Sequence, residues 1–281
     1  MPHSSLTDAQ RTAFHSDGVL VIPQFYDLLS DVIPIQRGVH DIIGQVMDRF
    51  GIPDNRPPFS PATFDSGFQE LIKSDRGAGS VVYDAVKQLP AFQRLVAHMA
   101  HESLFRDLRK GSVPGIAGGG SGIRIDNPGE DRFRAMWHQE YPAQLRSLDG
   151  IVFWTPLVPV TEDMGPVVFC LGSHKGGPLP VYTHAEGTDQ RSGAYALALK
   201  DESRVVASFP QAAPLTNPGD LVIIDFLTLH ASGHNRGSRS RWSMQFRFFN
   251  FIEPVGKSHS WRGSFAAGVD FRSVHPELCA D

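Results

Sequence analysis

Cysteine is nearly absent from this 281-residue chain. Cys170 and Cys279 are the two present, too few for a disulfide framework or a four-thiolate zinc site. Long apolar runs are missing as well: none approaches the ~20 residues that cross a bilayer, and Leu221-Val-Ile-Ile, for example, is cut by Asp225. Nor is there a surplus of cations, with Lys+Arg at 26 against Asp+Glu at 30 and a formal charge of -4. Neutralising phosphates calls for such a surplus, so nucleic acid is not expected as the main partner. The opening Met1-Pro-His-Ser-Ser has neither the basic flank nor the apolar stretch of a signal peptide. No internal repeat or low-complexity tract stands out. What is present is a globular composition, 41% apolar and 20% charged, with enough hydrophobic chain to bury a core. These features predict a reduced, cytoplasmic protein that does not engage a membrane.

Local patterns predict two textures. Thr7 followed by Gln10 is a capping-box signature for a short helix, Gly18 ends it, and Val19-Leu-Val-Ile-Pro reads as a buried strand. Residues 25–50 and 80–110 carry apolar side chains at helical spacing, separated by the proline-rich loop Gly51-Ile-Pro-Asp-Asn-Arg-Pro-Pro-Phe-Ser-Pro. After residue 111 short β-branched and aromatic segments alternate with turn signals, as in Gly122–Ile125, Phe133–His138, Gly150–Leu157, Pro166–Leu171, Asp220–Phe226 and Arg241–Phe249. The last alternates sharply, with Trp242, Met244, Phe246 and Phe248 on one face and Arg241, Ser243, Gln245 and Arg247 on the other. The apolar face needs a cover, which the N-terminal helices supply, and the polar face then looks into a barrel. The expected fold is a single domain over residues 1–281, mainly β with a helical layer. Residues 1–110 form the helical support, 111–250 a double-stranded β-helix (a cupin-like jelly roll), and 251–281 a C-terminal tail.

The chemistry-bearing stretch is Met136-Trp-His-Gln-Glu-Tyr. If it is a strand, His138 and Glu140 project from one face with Cα atoms about 6.5–7 Å apart, close enough to converge on one ion. His230, expected to end the strand that begins at Leu221, offers a third ligand. Two histidines and one carboxylate on one face make the facial triad of non-haem iron(II) oxygenases, with open positions for co-substrate and dioxygen. The pair alone is weak evidence, because 12 histidines and 30 acidic residues make chance pairs common.

The residues after His230, Ala-Ser-Gly-His-Asn-Arg-Gly-Ser-Arg-Ser-Arg241, sharpen it. Here the sequence resembles the phytanoyl-CoA dioxygenase family of Fe(II)- and 2-oxoglutarate-dependent oxygenases. Glu140 precedes His230 by 90 residues and His230 precedes Arg241 by 11, spacings that match the family's His-x-Asp/Glu, second histidine and arginine. Phe169-Cys-Leu-Gly-Ser-His-Lys-Gly-Gly, Asn217-Pro-Gly-Asp-Leu and the N-terminal Leu6-Thr-Asp-Ala-Gln segment resemble family segments too. The likeness runs from about residue 6 to 250. It implies His138, Glu140 and His230 as ligands of Fe(II). Arg241 would grip the distal carboxylate of 2-oxoglutarate, with Ser232 and Trp154 beside it. Arginine suits that role because its planar fork makes two parallel charge-assisted bonds to a carboxylate. Arg239, nearby and of the same parity, is expected to be a solvated loop residue, and His174 to hold a turn. His234 is expected to be exposed and Cys170 a buried apolar residue. Arg124 and Gln144 are candidate contacts to substrate.

One departure is visible: Glu140 stands where the family usually has aspartate, so the carboxylate could ligate through one oxygen or two. Because Glu140 fills a place that halogenating relatives leave to chloride, halogenation is disfavoured. The implied activity is hydroxylation of an aliphatic carbon with O2, releasing succinate and CO2. Two alternatives stay open, a cupin-like metal enzyme that does not use 2-oxoglutarate and a non-catalytic binding protein on the same scaffold. Selectivity is expected from the insert at about 176–214, the loop at 53–61 and the tail. Tyr182, His184 and Tyr195 in the insert favour a small or medium polar metabolite over a fatty acyl chain.

Overall fold

A computed structural model describes residues 5–182, 197–263 and 270–280 of the chain; His184 and Tyr195, and the first four residues, lie outside them. Helix α1 (Asp8–Asp17) starts at Thr7, whose side chain accepts from the Gln10 amide while the Gln10 side chain returns to the Thr7 amide. That is the expected capping box. Gly18 closes the helix in the left-handed region at φ 77°, and a Cβ there would lie 2.3 Å from Thr228 Oγ1. Strand β1 (Val19–Ile22) follows, then α2 (Ile33–Arg49). Residues 51–67 hold turns but no helix or strand, in keeping with their prolines. The apolar stretch beyond is cut into α3 (Phe68–Ser74), α4 (Arg76–Ala85), α5 (Pro90–Val96) and α6 (Met99–Leu108). Pro90 occupies the first turn of α5, where its missing N–H costs nothing; inside a continuous helix it would break the ladder.

The sheet region then runs β2 (Pro114–Ile116), β3 (Gly122–Asp126), α7 (Glu140–Gln144), β4 (Gly150–Pro156), β5 (Val167–Cys170), β6 (Val181–Tyr182), β7 (Ala198–Leu199), β8 (Gln211–Ala212), β9 (Leu221–Asp225), β10 (His230–Ser232), β11 (Arg241–Asn250) and β12 (Cys279–Ala280). The large sheet has the order β1-β9-β4-β11-β2, with β3 also paired to β11. A second sheet is β10-β5-β8 and a third β12-β6-β7. Trp242, Met244, Phe246 and Phe248 on β11 are buried in one cluster with Val39 of α2, Val82 of α4 and Leu104 of α6. Phe68 meets Trp242 edge-on at 4.9 Å, and Phe92 lies 5.7 Å from Phe246. The helices therefore cover the apolar face as the alternation predicts. Each such side chain is worth about 1.5–3 kcal/mol of burial. On the inner face of the large sheet, Val152, Trp154, Val222 and Ile224 pack in a second cluster with Phe169 of the second sheet.

Two expectations about the strands are corrected. Phe133–His138 is not a strand: residues 131–133 form a 3-10 turn, and only His138 pairs, in an isolated bridge to His230. Glu140 opens α7 rather than continuing a strand, and Pro142, unable to donate to a ladder, suits the first turn of that helix. Likewise β9 stops at Asp225, and His230 opens β10 in the other sheet. The Asp225 carboxylate accepts from the Leu227 amide and its carbonyl from the Thr228 amide, which turns the chain between the two. The last residues also contribute structure: short helices cover Pro254–Ser258 and Phe271–Val274, and His275 Nε2 lies 2.7 Å from the Tyr141 hydroxyl. Among the described residues no helix is long and apolar enough to cross a membrane.

Candidate metal centre

His138 and His230 come from different stretches of chain, yet their backbones face each other. Each amide donates to the other's carbonyl at 3.0 Å, and the two rings are 4.3 Å apart. The Nδ1–H of His138 donates to the Met136 carbonyl at 2.7 Å and that of His230 to the Thr228 carbonyl at 2.8 Å. A carbonyl can only accept, so the proton sits on Nδ1 and each Nε2 presents a lone pair. Both Nε2 atoms face Glu140 Oε2, at 4.0 Å from His138 and 3.9 Å from His230. The three donor atoms lie within 4.8 Å of one another, the only such cluster of three His, Cys, Asp or Glu among the described residues.

Charge supports the same reading. Burial, helped by the neighbouring His138 ring, holds the His230 imidazole down at about 3, and burial lowers His138 as well against the pull of Glu140. Burial pushes the Glu140 carboxyl up, but the Arg247 guanidinium and the two imidazoles outweigh it and bring it to about 2. At neutral pH the set is two neutral imidazoles and one carboxylate, all in ligating form. Nitrogen and oxygen donors bind a first-row ion at about 2.0–2.2 Å, so donors on one face of a six-coordinate ion sit about 3 Å apart. The two Nε2–Oε2 distances of 4.0 and 3.9 Å would have to shorten by about 1 Å around a bound ion.

The three residues line a cavity of about 390 Å³ between the sheets, together with Arg124, Gln144, Trp154, Ser232 and Arg241. Every residue expected at the site from sequence therefore borders one space. Arg241 is 1% exposed. Its guanidinium donates to Ser232 Oγ at 2.8 Å, to Asp126 at 2.9 Å and to the Gly165 carbonyl. Its Nε–H is buried without a protein partner. Arg124 grips the same Asp126 at 2.7–3.0 Å. Burial raises the Asp126 carboxyl, but these two guanidinium groups bring it to about 2, so one negative charge faces two positive ones.

Arg239 lies in a loop and is partly exposed, as expected, but it is tied down: it clasps Asp65 at 2.7–3.1 Å, and it does not line the cavity. His174 reaches the His15 carbonyl at 3.2 Å, tying its turn to α1. His234 is exposed and paired with Asp131, and Cys170 is buried. Sequence reasoning did not single out Arg247 or Lys87, which also border the cavity. Arg247 was legible in principle, since it shares the parity of Arg241 on β11.

With the geometry in hand, the family is clear. The phytanoyl-CoA dioxygenase (PhyH) profile matches residues 14–243, and the chain belongs to that family. No functionally curated protein matches it in sequence. Among solved structures it is similar to the non-heme alpha-ketoglutarate-dependent carbocyclase SnoK of nogalamycin biosynthesis, at 14% identity and a TM-score of 0.55 over 89% of this chain and 86% of that one. EctD from S. alaskensis, solved with 2-oxoglutarate and 5-hydroxyectoine, gives 16% identity and a TM-score of 0.55 over 87% and 76%. The epimerase SnoN, solved with Fe3+, alpha-ketoglutarate and nogalamycin RO, gives 15% and 0.55 over 86% and 83%. At these identities the likeness establishes the fold.

Proposed function

We propose that the chain is an Fe(II)- and 2-oxoglutarate-dependent dioxygenase that hydroxylates an aliphatic carbon of a small or medium polar metabolite, with release of succinate and CO2. It would work as a single domain whose large sheet and β10-β5-β8 sheet form a double-stranded β-helix. The observation that carries this is the convergence of His138 Nε2, His230 Nε2 and Glu140 Oε2 beside the buried Arg241 in one cavity. Bound iron and 2-oxoglutarate would supply the oxidising power toward dioxygen and the substrate. The chain's own part is placement. The two imidazoles and the carboxylate would hold the metal with one side open, while Arg241, with Ser232 and Trp154 at its side, would orient the co-substrate carboxylate. Arg124 and Gln144, which border the same space, would meet the substrate; the polar lining suits a polar metabolite better than an acyl chain.

The fold also serves a carbocyclase and an epimerase, so a different oxidative outcome at the same centre is the second reading, and product analysis separates the two. The founding test is anaerobic titration with Fe(II) and then 2-oxoglutarate, watching for the visible charge-transfer band of the chelate. The band should form in the native protein and vanish in His138→Ala and His230→Ala. A native protein that binds Fe(II) without forming the band would leave the cupin-like reading; one that binds no Fe(II) would leave a binding protein.

A further inference from the structure

Arg247 has no place in the proposal above, yet it touches the candidate metal centre directly. Strand β11 puts it on the cavity side, six residues beyond Arg241 and two beyond Gln245. Its Nε–H donates to Glu140 Oε1 at 2.5 Å, while the other oxygen, Oε2, is the one that faces both imidazoles. The rest of the guanidinium is held too, by the Gly120 carbonyl and by Gln245 Oε1. Its side chain is 14% exposed. The head group therefore cannot swing away without breaking bonds on three sides. Gln144 Nε2, at 3.5 Å, stands near the same Oε1.

From this geometry we infer that Arg247 is a positioning residue that commits Glu140 to hold the metal through Oε2 alone. The inference rests on the reading of His138, Glu140 and His230 as ligands. Glutamate has one methylene more than aspartate, so its carboxylate has the reach to turn both oxygens toward an ion. In a six-coordinate site two histidines and a two-oxygen carboxylate would fill four positions. A chelating keto acid would then take the last two. With one carboxylate oxygen withheld, three positions stay open, enough for the chelating co-substrate and one further small molecule. Arg247 thus offsets the extra length of Glu140. The bond to Gly120 also ties the glycine run at 118–120 to the same carboxylate, so that wall of the cavity is held in step with the ligand.

The test compares the native protein with Arg247→Met and Arg247→Lys, each checked for folding by thermal melting. The first measurement is the infrared difference spectrum of Zn(II)-loaded minus metal-free protein, with the glutamate carboxylates carbon-13 labelled. Native protein should show the widely split carboxylate stretches of one-oxygen ligation. In Arg247→Met the splitting should narrow, and the affinity for Zn(II) should drop by about 10–100-fold, the usual size of effects from groups behind a ligand. Arg247→Lys, which keeps a charged donor, should restore part of both. Narrow splitting in the native protein overturns the inference, and so do native splitting and native Zn(II) affinity in Arg247→Met. Should Arg247→Met fail to fold, the native spectrum decides alone. A native protein that binds no Zn(II) overturns the ligand assignment as well, whereas normal loading with an inert Arg247→Met overturns only the role of Arg247.

Discussion

Replacing Arg241 by methionine removes the cavity's buried guanidinium while keeping much of its length. A guanidinium that grips a carboxylate contributes about 1.5–3 kcal/mol per charge-assisted hydrogen bond, and two such bonds would give about 3–6 kcal/mol. Arg241 already shares its donors with Asp126, Ser232 and the Gly165 carbonyl, which argues for the lower end. About 3 kcal/mol is about a hundredfold weaker 2-oxoglutarate binding, at 1.4 kcal/mol per factor of ten. Iron affinity should stay near native, because Arg241 bonds to none of the three donor residues. Asp126 would keep its pairing with Arg124, so the fold should survive. The assay is titration of the charge-transfer band at saturating Fe(II) under nitrogen. A native dissociation constant for 2-oxoglutarate would refute the assignment and move the role to Arg124, Lys87 or Arg247. Arg239, tied to Asp65, would not be the replacement.

Asp126→Asn leaves two largely buried guanidinium groups without their counter-charge, and breaking a buried pair costs about 3–5 kcal/mol; thermal unfolding should drop accordingly, and an unchanged midpoint would refute it. Trp242→Ala empties the contact with Phe64 and Phe68, at about 3–5 kcal/mol. Since the indole N–H has no protein partner, Trp242→Phe should recover much of that loss in denaturant unfolding. His101 sets a pH dependence. Burial holds its imidazole down at about 3, against about 6.5 in an unfolded chain. The unfolded state therefore takes up the proton first. The stability tied to this group is complete above about pH 6.5 and falls by about 1.4 kcal/mol per unit as the pH drops toward 3. His101→Gln should flatten the acid limb of unfolding free energy against pH by that slope, and an unaltered limb would count against it.

Periodicity reported best where one physical demand acted alone. The strict alternation of β11 had to place Trp242, Met244, Phe246 and Phe248 under helices and turn Arg241, Gln245 and Arg247 to the cavity, because a strand offers only two faces. The Thr7 cap and the stop at Gly18 were equally local. Glu140 was different. Its position next to His138 suggested a shared strand, but the carboxylate reaches the imidazoles from the start of a helix, with Pro142 favouring the turn. The ligand set survived this error because spacing along the chain was matched, whatever the backbone did between. The partners of Arg239 and Arg247 were hidden for another reason. Asp65 lies 174 residues from Arg239 and Glu140 lies 107 from Arg247, and charge pairs at such distances leave no trace in a single sequence.

The reciprocal amide–carbonyl pair between His138 and His230 makes the distance between the two rings a matter of main chain, not of side-chain choice. Emptying the centre with a chelator should therefore leave a folded, receptive cleft, and reloading should be quick. Substitutions around this peptide ring that tilt either backbone would damage the centre as surely as loss of an imidazole, while the residues between the two histidines, Glu140 and the cavity lining apart, are free to vary wherever they do not disturb that meeting.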